Sequence, residues 1–189
     1  MPRATSVGME PLDELCTWDD DDVSDWGRGT YGHPCRECGY DWPDDLDVMI
    51  EVVRQTPTKM RSALGGSDGT GRDPTLIWDA RSYVCHVVDN LRIWAERLVA
   101  ALDVPAVRVG PYDADLLAAS RNYAAVPVAG ALWSLTDSVD AWLRAVDAAR
   151  GGEIDLDHPE RGTLRLIDVA STNAHDAYHH VFDVERSVV

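Results

Sequence analysis

Lysine is nearly absent from this chain, and basic residues are scarce altogether. The 189 residues include 33 acidic and 17 basic side chains, with Lys59 as the single lysine, and the formal net charge is −16. A surface that binds nucleic acid needs clustered basic residues to replace the counterions of the phosphate backbone. No basic run occurs in the sequence, so we expect no nucleic-acid partner.

Long apolar runs are also missing. No stretch approaches the roughly 18 consecutive apolar residues of a membrane-spanning helix, so we expect no membrane partner. Residues 1–22 contain no apolar run that resembles a secretory signal, which predicts a cytoplasmic protein. Apolar residues nevertheless make up 45% of the sequence, enough to form the core of a folded domain.

Cysteine is rare as well, and the four present are Cys16, Cys35, Cys38 and Cys85. They are too few for a disulfide framework in a cytosolic protein. Cys35 and Cys38 form a C-x-x-C pair followed by glycine, which resembles half of a zinc knuckle, and His33 or Cys16 could supply further ligands. The pair is therefore a candidate second metal site. A redox pair and two reduced cysteines in a packed arm are the alternatives.

Apolar residues recur at helical spacing in four long segments, and no segment shows the sustained alternation of a strand. The segments cover residues of about 43–64, 75–102, 128–150 and 163–185. Pro57 is expected to kink or split the first of them. The connection between the second and third segments is long enough to cross a bundle.

This pattern predicts an all-α protein, a four-helix bundle with a crossover connection over residues 43–189. Residues 1–42 lack helical periodicity and contain several glycines. They are expected to form an irregular N-terminal arm that packs Trp18, Trp26 or Trp42 against the bundle.

Histidines are concentrated near the end of the fourth segment. At 100° per residue, His175 and His179 lie about 40° apart and one turn along a helix, so one ion can contact both rings. His180 is rotated by about 140° from His175 and is left out of this pair. His86, in the second segment, is the third candidate ligand. Three imidazoles with open coordination positions suit Zn²⁺ and can also bind Ni²⁺ or Fe²⁺, although each histidine can equally be a surface or core residue.

Three stretches of the sequence resemble the DinB-like superfamily. Residues 78–89 (WDARSYVCHVVD) are similar to its second helix, where a histidine begins an H-x-x-D pattern. Residues 175–184 (HDAYHHVFDV) are similar to its last helix, which carries H-x-x-x-H ligands. Residues 112–123 resemble the connecting segment of actinobacterial members, and the whole match spans about residues 44–186.

The resemblance implies a bundle with a crossover connection and a metal held by His86, His175 and His179. Related members include mycothiol-dependent maleylpyruvate isomerase and thiol S-transferases that use mycothiol, bacillithiol or glutathione. The chain is therefore expected to be a metal-dependent thiol S-transferase or isomerase, in which a small thiol such as mycothiol is activated at the metal and attacks an electrophilic small molecule.

Two acidic residues follow the candidate ligands at short helical spacing. Asp89 and Asp183 are candidates to orient the ligand imidazoles, or they are solvated helix charges. A non-catalytic metal-binding stress protein and an interaction module that uses the arm are the alternative functions. Assembly as a homodimer is also left open.

Overall fold

The computed structural model describes residues 26–104, 106–152 and 154–188. A short helix, α1 (Arg28–Tyr31), precedes the long helices α2 (Leu46–Leu64) and α3 (Ala80–Asp103). A second short helix, α4 (Ala114–Ser120), precedes α5 (Val128–Ala149) and α6 (Leu166–Ser187). The four long helices form a bundle, which confirms the predicted fold class. None of the helices in these ranges is long and apolar enough to cross a membrane.

Local signals in the sequence explain where the long helices begin and end. The Asp79 side chain accepts a hydrogen bond from the Ser82 N–H, which caps α3, and Asp45 caps α2 in the same manner. Gly65, at φ +56°, ends α2 in the left-handed conformation that glycine adopts without strain. Pro57 was expected to kink or split this helix. It lies inside α2, which continues past it without a break.

The helices are not arranged in chain order around the bundle. α3 packs beside α5 and α6, and α2 packs beside the same two helices, so α2 and α3 lie across a diagonal. The connections that cross the bundle are therefore residues 65–79 and 150–165. The sequence prediction placed the crossing in residues 103–127 and was wrong in that respect. Those residues join two neighbouring helices, and their length is taken up by α4 and other short elements.

A small sheet was not predicted. It consists of β1 (Val107–Arg108), β2 (Asp155–His158) and β3 (Gly162–Arg165), in the order β1-β2-β3. β1 pairs parallel with β2, and β2 pairs antiparallel with β3, so that Leu156 lies opposite both Val107 and Leu164. Because β3 occupies residues 162–165, α6 begins a few residues later than the periodicity suggested. Strands of two to four residues are too short to give a clear alternating pattern.

The described part of the N-terminal arm, residues 26–42, is largely exposed but inserts three side chains into the bundle core. Cys35, Tyr40 and Trp42 are each no more than 4% exposed and belong to the same apolar cluster as the long helices. The expected packing of Trp42 is therefore present. Trp18 and Cys16 lie outside the described residues.

Candidate metal centres

α6 presents two pairs of candidate ligands on two adjacent faces. His175 and His179 are four residues apart, and Asp176 and His180 are also four residues apart, so each pair shares a face. The second pair is rotated from the first by the 100° that separates consecutive helical residues. One stretch of a single helix can therefore contribute to two separate sites.

The structure gives each pair different partners. His175 and His179 meet Cys35 and Cys38 from the arm, and we call these four residues the Cys2His2 group. The other set consists of His86 from α3 with Asp176 and His180 from α6, and we call it the His-Asp-His group. The three histidines predicted to share one ion, His86, His175 and His179, are thus divided between two groups. The cysteine pair that was predicted as a second metal site, Cys35 and Cys38, lies beside His175 and His179.

The ligand atoms of the Cys2His2 group are close enough to surround one ion. All four lie within 4.8 Å of one another, and the Cys35 Sγ is 3.9 Å from the His179 Nδ1. In a tetrahedral zinc site, with bonds of about 2.3 Å to sulfur and about 2.0 Å to nitrogen, ligand atoms lie about 3.3–3.8 Å apart. A contraction of at most about 1.0–1.5 Å would complete that geometry.

A tight loop brings the two cysteines together. The Cys35 N–H donates to the Tyr40 carbonyl at 2.8 Å, and the Gly39 N–H donates to the Cys35 carbonyl at 2.9 Å. Gly39 has φ +75°, a conformation that glycine adopts at low cost. Burial raises the pKa of the Cys38 thiol to about 12, although a hydrogen bond with the Tyr40 backbone opposes this shift.

His175 is enclosed by aromatic rings. It stacks on Trp42 with ring centroids 4.2 Å apart, and the Tyr31 ring lies 4.7 Å away. Its Nε2 is buried and has no hydrogen-bond partner among the described residues. Burial, with a smaller contribution from His179, lowers the pKa of His175 to about 4, which favours the neutral imidazole that binds metals.

His179 is held from two sides. Its Nδ1 faces Cys35, while its Nε2 lies 3.4 Å from a Glu37 carboxylate oxygen and 3.6 Å from an Asp183 oxygen. A histidine that ligates a metal through one nitrogen commonly donates its other N–H to a carboxylate, which fixes the tautomer and the ring orientation. The surroundings of His179 match that arrangement.

In the His-Asp-His group, one carboxylate oxygen lies between two imidazoles. The Asp176 Oδ1 is 3.3 Å from the His86 Nε2 and 3.4 Å from the His180 Nε2. Two histidines and one carboxylate can hold a divalent metal on one face and leave its remaining positions open. This donor set fits Fe²⁺, Zn²⁺ or Ni²⁺.

Polar partners orient these ligands. The Asn90 amide donates to the other Asp176 oxygen at 2.7 Å, and the Tyr112 hydroxyl donates to the Asn90 carbonyl oxygen at 3.0 Å. The His180 Nδ1 lies 2.9 Å from an Asp183 oxygen, so the Nε2 of His180 is directed towards Asp176. Such contacts around metal ligands fix the direction of the coordinating atoms.

The charges in this group offset one another. Burial alone would raise the pKa of Asp176, but the neighbouring His86 and His180 hold it well below its usual range. Burial alone would lower the pKa of His180, but Asp176 and Asp183 raise it to about 9. A divalent cation bound here would therefore displace a proton from His180. Without a cation, the same residues form a partly buried network of charged side chains.

The His-Asp-His group borders a cavity of about 590 Å³. Six aromatic side chains contribute most of its apolar wall: Trp26, Tyr31, Trp78, Tyr83, Trp94 and Tyr112. Volumes of several hundred cubic ångströms, lined by aromatic groups with a few converging polar atoms, are typical of small-molecule sites. The arrangement can hold a small organic molecule beside an ion.

The two acidic residues predicted to orient ligands have different surroundings. Asp183 lies between the two groups and contacts both His179 and His180. Asp89 instead accepts hydrogen bonds from the Tyr123 hydroxyl and the Arg121 guanidinium. Arg92 of α3 also donates to Asp89, so the partners of this carboxylate are two guanidinium groups and a phenol.

Asp176 and His180 are not among the ligands predicted from the sequence. The H-x-x-x-H pattern selects His175 and His179 and excludes His180 because of its angle to His175. The D-x-x-x-H spacing from Asp176 to His180 carries the same geometric signal one residue later. That signal was present in the sequence and was not used.

Comparisons with known proteins give a fold neighbour. No protein-family model matches the chain, and no curated protein sequence matches it significantly. The structure is similar to that of YfiT from Bacillus subtilis, which is described as a probable metal-dependent hydrolase with an unusual four-helix bundle topology. The TM-score is 0.66 at 18% sequence identity, over 74% of this chain and 83% of that chain. At this identity, the likeness shows a shared fold.

Proposed function

We propose that the chain is a metal-dependent enzyme whose catalytic ion is held by His86, Asp176 and His180. One observation carries the proposal: three ligand side chains converge at the wall of a cavity of about 590 Å³. Among the described residues, the group has no fourth side chain that would close the ion off from that cavity. A closed set would instead favour storage or a structural role.

The resemblance of the sequence to the DinB-like superfamily also supports this group, if the two ligands on α6 are taken one residue later than His175 and His179. The DinB-like pattern takes one ligand from the second bundle helix and two ligands, four residues apart, from the last. His86, Asp176 and His180 fulfil that pattern, one residue later on α6 than the histidines that we had assigned. Zn²⁺ is the first candidate ion, followed by Ni²⁺ and Fe²⁺.

A divalent ion at this position would supply Lewis-acid chemistry and lower the pKa of a bound water or thiol. The protein's own contribution is to hold the site rigid. Asp183 fixes the His180 ring, and Asn90 fixes the Asp176 carboxylate. The aromatic walls exclude water and offer flat surfaces on which a ring-containing substrate can stack.

Hydrolysis of a small aromatic or otherwise apolar substrate is the first candidate reaction, with water as the nucleophile. It follows the description of YfiT, whose fold this chain shares. Thiol S-transfer or isomerisation with a small thiol such as mycothiol is the second candidate. It rests on the resemblance of residues 78–89 and 175–184 to the DinB-like superfamily, whose members include thiol S-transferases, and it uses the same open positions for sulfur.

The experiment compares purified, metal-reconstituted wild type with His86→Ala and His180→Ala. His33→Ala is the matched control, because it removes an exposed histidine outside both groups. Each protein is assayed on a panel of aryl esters, amides and electrophiles, with and without a small thiol. We expect both ligand variants to lose the metal of this site and at least about 100-fold in rate, with the control unchanged.

The thiol dependence of the rate separates the two candidate reactions. Turnover without added thiol supports hydrolysis, and turnover only with thiol supports transfer. Full metal content in both ligand variants, or a rate that does not depend on metal, would reject the assignment.

A further inference from the structure

We infer that Cys35, Cys38, His175 and His179 form a second, closed zinc site that fastens the N-terminal arm to α6. The inference does not require a metal at the His-Asp-His group. The cysteines and the histidines of the proposed zinc site lie more than 130 residues apart in the sequence, and the fold alone brings them together.

The donor set points to zinc in a structural role. Two thiols and two imidazoles provide the four ligands of a tetrahedral Zn²⁺ site, and soft sulfur donors favour Zn²⁺ over Mg²⁺ or Ca²⁺. With four protein ligands, no coordination position is left for a substrate. This separates the Cys2His2 group from the His-Asp-His group, which has three ligands. All three of those line the cavity, whereas only His175 of the Cys2His2 group does.

His175 supplies an independent observation. Its Nε2 is buried without a hydrogen-bond partner in the described part of the chain, although nearly all buried polar atoms in native proteins have one. The ring is fixed by stacking on Trp42, so it does not turn freely to find another partner. A metal ion bound through Nε2 would give that nitrogen the partner it lacks.

The surroundings of the other ligands agree with a zinc site. The outer nitrogen of His179 faces the carboxylates of Glu37 and Asp183, the usual partners of a metal-bound histidine. The loop that carries Cys35 and Cys38 is closed by its own backbone hydrogen bonds. Both thiols are free, and a redox pair alone would not explain two histidines beside them.

A zinc ion here would also shape the cavity of the other group. Tyr31 lies in the arm, contacts the His175 ring at 4.7 Å and lines the cavity beside His86 and His180. Fastening the arm to α6 therefore fixes one wall of the cavity. Loss of zinc is expected to loosen that wall without removing any ligand of the His-Asp-His group.

The first test maps thiol reactivity in the intact wild-type chain, so it needs no variant that could fail to fold. The zinc-loaded protein is treated with iodoacetamide, with and without prior removal of metal by a chelator, and each cysteine is followed by peptide mass mapping. We expect Cys35 and Cys38 to be protected at least tenfold by zinc, and Cys85 to react equally in both samples.

The second test replaces the metal with Co²⁺, whose bonds to thiolate sulfur give strong near-ultraviolet charge-transfer absorption. We expect that absorption in wild type, its loss or reduction by about half in Cys35→Ser and Cys38→Ser, and no change in Cys85→Ser. Cys85 is buried in α3, outside both ligand groups, and is therefore the matched control. Cys16 stays in place throughout.

The outcomes distinguish this site from the proposed catalytic site. His86→Ala should retain the thiolate absorption and lose the ion of the His-Asp-His group. Cys38→Ser should lose or weaken the thiolate absorption and retain that ion. Equal alkylation of Cys35 and Cys38 with and without zinc, a disulfide between them in the purified protein, or Co²⁺ binding without thiolate absorption would each overturn the inference.

Discussion

We expect His158 to make the stability of the folded protein depend on pH. It lies at the end of β2, is 1% exposed, and stacks on Trp94 at a centroid distance of 6.2 Å. Its Nδ1 accepts a hydrogen bond from the Glu160 N–H, which requires that nitrogen to be unprotonated. Burial, followed by the charges of Arg97 and Arg161, lowers the pKa of His158 to about 4 from its ordinary value of 6.5.

The sign and the size of the effect follow from proton linkage. Above pH 6.5, His158 is neutral in both the folded and the unfolded chain, so its contribution to the free energy of unfolding is constant. As the pH falls from 6.5 towards 4, the unfolded chain takes up a proton that the folded protein does not, and stability decreases. Between pH 7.5 and pH 5 the loss amounts to about 2 kcal/mol.

The assay is urea denaturation of wild type and His158→Gln at several pH values between 5 and 7.5. Glutamine stays neutral over this range, and all other titrating groups are shared by the two proteins. We expect wild type to lose about 2 kcal/mol more than the variant on going from pH 7.5 to pH 5. If the two proteins lose the same unfolding free energy between pH 7.5 and pH 5, to within about 0.5 kcal/mol, the reasoning that burial keeps His158 neutral is refuted.

Four further variants test other parts of the structure. Trp142→Phe removes the indole N–H that donates to the buried Asn173 oxygen at 2.8 Å, and we expect denaturant unfolding to show a loss of about 1–3 kcal/mol. Gly69→Ala would place a Cβ 2.8 Å from side chains of α3 and α5 at φ +73°, so thermal unfolding should show a cost of at least about 2 kcal/mol. Gly66→Ala, at φ +89° with open space around it, should cost only about 1 kcal/mol. Asn90→Ala removes the amide that holds the Asp176 carboxylate, which we propose as a ligand, and metal titration should show an affinity of the His-Asp-His group about 10–100-fold weaker with the fold intact.

The helical parts of the fold could be predicted from the sequence because their signals are local. The apolar spacing in α3 and α5 and the caps at Asp45 and Asp79 act within one or two turns. The small sheet gave no such signal, because its strands are too short and its pairing joins residues 107–108 to residues 155–165. The diagonal order of the helices also depends on packing between distant segments, so connection length alone predicted the wrong crossing.

The sequence by itself determined which residues of α6 share a face, because the angle between positions four apart is a property of any helix. His175 pairs with His179, and Asp176 pairs with His180, whatever the rest of the chain does. Only the tertiary structure decided which partner each pair receives. The rotation of α6 in the bundle turns one face towards the cysteines of the arm and the other towards His86 on α3. That rotation is set by core packing along the whole helix, which spacing within six residues does not encode.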